Sequence, residues 1–279
     1  MILVNLLLKF ININYFVEKY IAGKQLKKLI LSCLSILLLY AQPNTTLTCE
    51  QGNKDDCNDR GVAYGVKGEF GKAFRLYTKA CDLTSSRGCS NLGFMHMNGQ
   101  GVKKDFVMAV QYFEKGIALG DYHLAATNLG IIYARGYGEI KKDKIKAMLY
   151  FKQGCEKFSR ISCGNLAVLK DENDDSVKAF YYYERACILG DGKSCFRFGV
   201  GRYYGRGIKV NKEESLRAFF LGCKYGDAAT CQALTFMIYR GEGGVLPDIK
   251  LAEVYRKRAC KLGATDACGE DEEYYKRFD

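Results

Sequence analysis

Twelve of the thirteen cysteines fall into six pairs with seven residues between partners: Cys49/Cys57, Cys81/Cys89, Cys155/Cys163, Cys187/Cys195, Cys223/Cys231 and Cys260/Cys268. Thiols can ligate a metal or oxidise to disulfides, and the spacing chooses between these. A metal site needs about four ligands converging on one point. These pairs instead recur along most of the chain at nearly regular steps, so each belongs to its own structural unit. Pairing is expected to be local, each bridge joining the end of one helix to the start of the next across a tight turn. Closing so short a loop contributes about 2 to 3 kcal/mol per bridge in the chain-entropy view.

Other reactive constellations are missing. A serine β-lactamase needs Ser-x-x-Lys so that nucleophile and base meet one helical turn apart, with Ser-Asp-Asn or Lys-Thr-Gly elsewhere; none of these occurs. His96 and His123 are the only histidines and lack ligand spacing, so neither a metal nor a cofactor is expected. His96 falls in the column that Tyr133 fills one unit later and reads as a packing residue, while His123 sits in an interhelix turn facing solvent. Gly199 to Gly205 has the look of a phosphate loop but follows no strand and coincides with the repeat's own helix and turn. The acidic run Asp171 to Asp175 lacks the alternating ligands and central glycine of a calcium loop and reads as a solvated turn with a helix cap. Of Tyr181, Tyr182 and Tyr183, one must point outward.

The elements that carry the cysteines show themselves when the chain is aligned on the first cysteine of each pair. Eight residues upstream stands a small residue: Ala73, Ala109, Ala147, Ala179, Ser215 or Ala252. Another follows seven later at Ala80, Gly116, Gly154, Ala186, Gly222 or Ala259, with aromatics between them such as Tyr112/Phe113, Tyr150/Phe151, Tyr182/Tyr183, Phe219 and Tyr255. Separations of three, four and seven mark one face of a helix. Asp105, Asp143 and Asp248 supply its N-terminal caps. After the second cysteine comes another helix, signalled by Asn91-Leu92-Gly93, Asn128-Leu129-Gly130, Asn165-Leu166-Ala167 and Phe198-Gly199. In the longer units it ends at Gly99-Gln100-Gly101, Gly136-Tyr137-Gly138, Gly205-Arg206-Gly207 or Gly241-Glu242-Gly243, where positive φ is needed. One unit has no cysteines; Ile117 and Ala126 take the two columns after a turn longer by one residue. The fold expected is an all-α solenoid of disulfide-stapled helical hairpins, about six to seven of them, in one domain over residues 42–279.

So many paired thiols point to an oxidising compartment, secreted or periplasmic. The N-terminus agrees: Lys27 and Lys28 precede an apolar run from Leu29 to Tyr40, with Ala41 as a small residue for cleavage. Residues 1–41 read as a leader whose signal core spans 27–41, and its removal takes away Cys33, the one unpaired thiol. Cys33 has a second reading as a lipoprotein acceptor. The run is too short to span a bilayer as a helix, so no stable membrane span is expected after cleavage. The formal charge is +11, of which the leader carries +4. Cations and anions are interleaved on the remainder, without a nucleic-acid motif, so nucleic acid is not expected as a partner.

The period near 36, the small and aromatic columns, Asn-Leu-Gly followed by Gly-x-Gly, and the seven residues between paired cysteines resemble Sel1-like repeats, relatives of tetratricopeptide repeats. More narrowly, the chain is similar to the Helicobacter cysteine-rich proteins over about residues 45 to 270. That resemblance implies a secreted right-handed superhelix that binds penicillin, hydrolyses β-lactams slowly and engages host proteins. No residue pattern here assigns a catalytic group to such an activity.

Asn91, Asn128 and Asn165 each precede the core leucine, near the edge of the first helix that lines a solenoid's concave side. Arg197 and Asp59 hold the equivalent positions. The amides have two readings: a groove that clamps an extended peptide, a peptidoglycan fragment or a β-lactam, or bonds to the neighbouring unit that fix its stacking. The function expected is a secreted binding protein with slow β-lactamase activity implied by the resemblance, the alternative being a non-catalytic protein-interaction scaffold.

Overall fold

A computed structural model describes residues 48–269 together with 274 and 275; the expected leader and Cys33 lie outside the described residues. Within residues 48–269 twelve α-helices follow one another: α1 (Lys54–Val66), α2 (Phe70–Asp82), α3 (Ser86–Asn98), α4 (Phe106–Ala118), α5 (Leu124–Arg135), α6 (Lys144–Glu156), α7 (Arg160–Asp171), α8 (Ser176–Ile188), α9 (Gly192–Tyr204), α10 (Lys212–Lys224), α11 (Ala228–Arg240) and α12 (Ile249–Lys261). Short 3-10 turns at Cys49–Gln51 and Thr265–Ala267 flank them. They pair as six antiparallel hairpins, α1/α2 to α11/α12, whose helices pack more extensively than those of successive hairpins.

Local chemistry sets the helix ends. Asp105, Asp143 and Asp248 each accept from the backbone amide three residues on, at 2.9 Å. Asp175 does not cap α8; its carboxylate is taken by Lys178 at 3.0 Å and Lys170 at 3.8 Å. The Gly-x-Gly turns adopt the positive φ they were assigned, and the second glycine also lets the loop close on the previous unit. A Cβ on Gly101 would stand 2.8 Å from the Phe70 carbonyl, and one on Gly243 2.7 Å from the Lys212 carbonyl. At Gly138 there is open space, because Tyr137 instead stacks on Phe106 with centroids 4.5 Å apart.

In four of the six hairpins a glycine on the first helix receives an aromatic ring from the second: Gly61 with Tyr77, Gly93 with Phe113, Gly130 with Phe151 and Gly199 with Phe219; α7 has Ala167 in that place. The leucine after each asparagine clusters with the aromatic of the preceding hairpin, Leu92 with Tyr77, Leu129 with Phe113 and Leu166 with Phe151, and Phe113, Phe151, Leu92, Leu129 and Leu166 are all buried. Burial of an aromatic or leucine side chain is worth about 1.5–3 kcal/mol, so the glycines contribute by letting the helices approach. The last hairpin departs from the pattern. Arg256 stands where the aromatic should be and is also buried.

The disulfides join hairpins to one another. Cys81–Cys89, Cys155–Cys163, Cys187–Cys195 and Cys223–Cys231 each link the second helix of one hairpin to the first helix of the next, while Cys49–Cys57 and Cys260–Cys268 tie the flanking turns to α1 and α12. Covalent and aromatic contacts therefore alternate along the chain. At the cysteine-free junction, α4 and α5 pack less extensively than any two α-helices joined by a bridge. The residues preceding each cysteine pair pack together at Ala80/Gly88, Gly154/Ser162 and Gly222/Thr230; Gly116 and Ala125 do so here, which places Ile117 and Ala126 in the cysteine columns. The extra residue is absorbed ahead of α5, where Asp121 accepts from the amides of His123 and Leu124 at 3.1 Å.

Candidate functional site: the inner curve

First helices of successive hairpins approach one another at α1/α3, α3/α5, α5/α7 and α9/α11, second helices to the same extent only at α8/α10. The first helices thus form the shorter, inner side of the solenoid. The asparagine column lies here, and its amides do not form one ladder. Asn91 Nδ2 donates to Asn58 Oδ1 on the preceding hairpin at 2.9 Å, the stacking bond of the second reading. Asn128 and Asn165 each donate at 3.0 Å to a carbonyl of their own helix, Leu124 and Ile161, and Asn128 is only 6% exposed.

A second column, five residues after each second cysteine position, escaped the sequence reading. It consists of Val62, Phe94, Ile131, Val168, Val200 and Phe236, every one apolar and none fully buried. Residues three apart share a helix face, so the first five stand beside polar neighbours in the Asp59, Asn91, Asn128, Asn165, Arg197 column, while Phe236 stands beside Ala233. The signal was present, but these residues looked like core because they obey helical spacing; only the direction of the curve shows that they face the open side.

Three depressions break this surface, one of them about 360 Å³ against Val62, Asn91 and Phe94. Near the N-terminal end Asn58, Asp59, Arg87, Asn91, Asp121 and His123 surround about 460 Å³. Val62 and Leu124 complete its lining, and Arg87 is already paired there, 3.0 Å from Asp55 and 3.7 Å from Asp59. Between α9 and α11 lies a depression of about 530 Å³, lined by Phe196, Val200, Tyr204 and Phe236 with Arg197 and Arg206 at its edge. Tyr203 completes that wall; burial and a hydrogen bond to Glu242 push its hydroxyl up to about 12, so it remains a neutral donor.

The remaining candidates take structural places. His96 is buried, stacked on Tyr112 and edge-on to Phe74, and burial lowers its pKa. His123 is exposed. Tyr181 points outward while Tyr183 is buried. Gly199 and Gly201 lie within α9, packed against Phe219 and Phe180. Ser159 and Ser162 share the Thr127 hydroxyl at 2.9 and 2.7 Å, Ser215 donates to the Gly199 carbonyl at 2.8 Å, and buried Ser194 donates to the carboxylate of Asp191, the residue that caps its own helix. Among the described residues no His, Cys, Asp or Glu cluster could hold a metal, and no helix is long and apolar enough to cross a membrane.

The Sel1 repeat matches residues 56–85, 86–121, 123–157, 167–191, 193–226 and 231–263, covering most of the chain. The chain belongs to the Sel1 repeat family. Cytochrome c oxidase assembly factor 7A of Xenopus laevis is 28% identical over 185 residues, which make up 63% of this chain and 78% of that protein. A protein of Helicobacter pylori named "Putative beta-lactamase HcpC" is 40% identical over 58 residues, 21% of this chain and 20% of its own length, in keeping with the cysteine-rich resemblance. Among solved structures, c5321, a protective antigen of uropathogenic Escherichia coli with an SLR fold, superposes with a TM-score of 0.67 at 19% identity. That match covers 81% of this chain and half of c5321, and it shows the fold alone.

Proposed function

We propose that this Sel1 repeat protein is an extracytoplasmic, non-catalytic scaffold that holds extended peptide-like segments along its inner curve. The observation that carries the reading is the paired columns: an apolar ladder from Val62 to Phe236 beside polar side chains from Asp59 to Arg197. An extended chain presents alternate side chains and an unsatisfied backbone, and such a surface offers apolar seats and hydrogen-bonding groups at a regular step. Six disulfides fit an oxidising compartment. A protein-assembly relative is consistent with a protein-binding role, and the groove reading and the cysteine-rich resemblance make peptidoglycan stem peptides and host proteins the ligands to try first.

β-Lactam binding with slow hydrolysis is the second reading, favoured by the HcpC match. The oxidised chain, panned against phage-displayed random dodecapeptides, should enrich binders that Val168→Glu in the exposed ladder weakens at least tenfold. A chromogenic cephalosporin should bind weakly or not at all and show no turnover. Failure to enrich any peptide overturns the scaffold reading, and steady turnover by protein free of contaminating lactamase replaces it with the enzymatic one.

A further inference from the structure

The two ends of the inner curve differ in chemistry, and the difference selects a ligand. At the N-terminal depression every cation is already answered by a carboxylate. Between α9 and α11 the floor is apolar, with Phe196 and Val200 partly covered and Met237 buried beneath them. Tyr204 is 66% exposed on its wall. Arg197 and Arg206 both reach solvent and have no carboxylate partner among the described residues. Arg206 instead lies over the Tyr204 ring, its guanidinium carbon 5.7 Å from the centroid, an arrangement that restrains the cation and leaves its edge donors free.

From this juxtaposition we infer that the α9/α11 groove is a specific subsite for a peptide segment carrying a large apolar side chain, aromatic or branched, next to a carboxylate. The inference rests on the scaffold reading and names the sequence class that it prefers. The volume of about 530 Å³ accommodates one or two large side chains. A carboxylate placed at the rim meets the planar fork of an arginine, which favours bidentate pairing, and the aromatic wall excludes water from that pair. A polyanion would need a row of cations along its path. The positions before Arg197 in the same column are Asn165 and Asn128, and the series ends at Asp59, so the positive charge is confined to one place.

The peptides enriched by the full oxidised chain provide the test. The expected result is a consensus that pairs Asp or Glu with Phe, Tyr, Trp, Leu or Ile. A synthetic peptide of that consensus should lose at least tenfold in affinity with Arg197→Glu/Arg206→Glu and with Val200→Glu, and weaken steeply as salt rises. Ile145→Glu, exposed on the second helix α6 and away from the ladder, should leave it within twofold. Unchanged melting temperature of the double arginine variant certifies its fold, and Arg197→Lys/Arg206→Lys should retain part of the binding if charge is what matters. Enriched peptides that lack acidic residues, or that bind the double glutamate variant as tightly as the parent, overturn this subsite while leaving the scaffold reading intact. Displacement of the peptide by oligo-dT at equal concentration would overturn it in favour of a nucleic-acid groove.

Discussion

Phe113 lies across Gly93 so closely that a Cβ on the glycine would stand 2.8 Å from the ring's Cδ1. The ring is fully buried and has no second place to go. Alanine normally improves a helix by about 1 kcal/mol over glycine, but here it forces apart two helices that share a close-packed layer. Gly93→Ala should therefore destabilise the protein by about 1–2 kcal/mol, read as a lower melting temperature. Gly71→Ala on α2, where a Cβ meets nothing within 4 Å, should raise it slightly.

The junction between α4 and α5 offers the reverse experiment. Ile117 and Ala126 occupy the columns that hold bridged cysteines elsewhere. Ile117→Cys/Ala126→Cys should form a seventh bridge, shown by the absence of free thiol in denaturant. It should stabilise the chain by about 2 kcal/mol in the chain-entropy view. In the parent protein, backbone amides of α4 and α5 should exchange hydrogen faster than those of α6 and α7.

At the other end Arg256 acts as a clamp. Its guanidinium donates at 2.7 Å to the carbonyls of Ala267 and Gly269 and to both oxygens of Glu253. Removing one partner of a buried ion pair typically costs about 3–5 kcal/mol. Arg256→Leu should show a loss of about 3 kcal/mol or release the segment beyond Lys261 to proteases. The hydrogen bond from Arg256 holds the Glu253 carboxyl down to about 2. Its folded value lies below the unfolded one, so this contribution is complete above about pH 4.5 and is lost as pH falls through 2. An acid titration of Arg256→Leu should be flatter across that window.

Cys260 and Cys268 are the only bridged cysteines among the described residues that are not buried. Thiol exchange requires access. Mild reductant followed by alkylation and mass spectrometry should label this pair first, with the other five bridges intact.

His96 gives a separate pH signature. Burial depresses its pKa below 6.5, partly opposed by Asp105, and its Nδ1 has no hydrogen-bond partner. Below pH 6.5 the unfolded chain takes up the proton more readily than the folded one, so stability should fall as pH drops from 7 towards 5. His96→Tyr, which restores the residue type of Tyr133, should flatten the melting temperature over that interval.

Much of this architecture was legible because it repeats. The cysteine step, the caps at Asp105, Asp143 and Asp248, and the glycine turns each report a local backbone requirement, and local requirements are written in adjacent residues. The inner surface was less legible for a physical reason. Val62 and Leu92 obey the same helical periodicity, and which of them faces open space depends on how neighbouring hairpins rotate. Asn128 looked available for the same reason, yet its amide turns back on its own helix. Arg256 was hidden because it breaks the aromatic column, and its role depends on carbonyls eleven and thirteen residues away.

Because each covalent loop encloses so few residues, no bridge among the described residues ties distant parts of the polypeptide together. A single nick in a Gly-x-Gly loop would let the fragments drift apart without any reductant. The same arrangement spares the nascent polypeptide from sorting partners: each thiol meets its mate as soon as one further turn of helix has emerged, so oxidation can proceed in order from the N-terminus with no isomerase needed to undo mistakes.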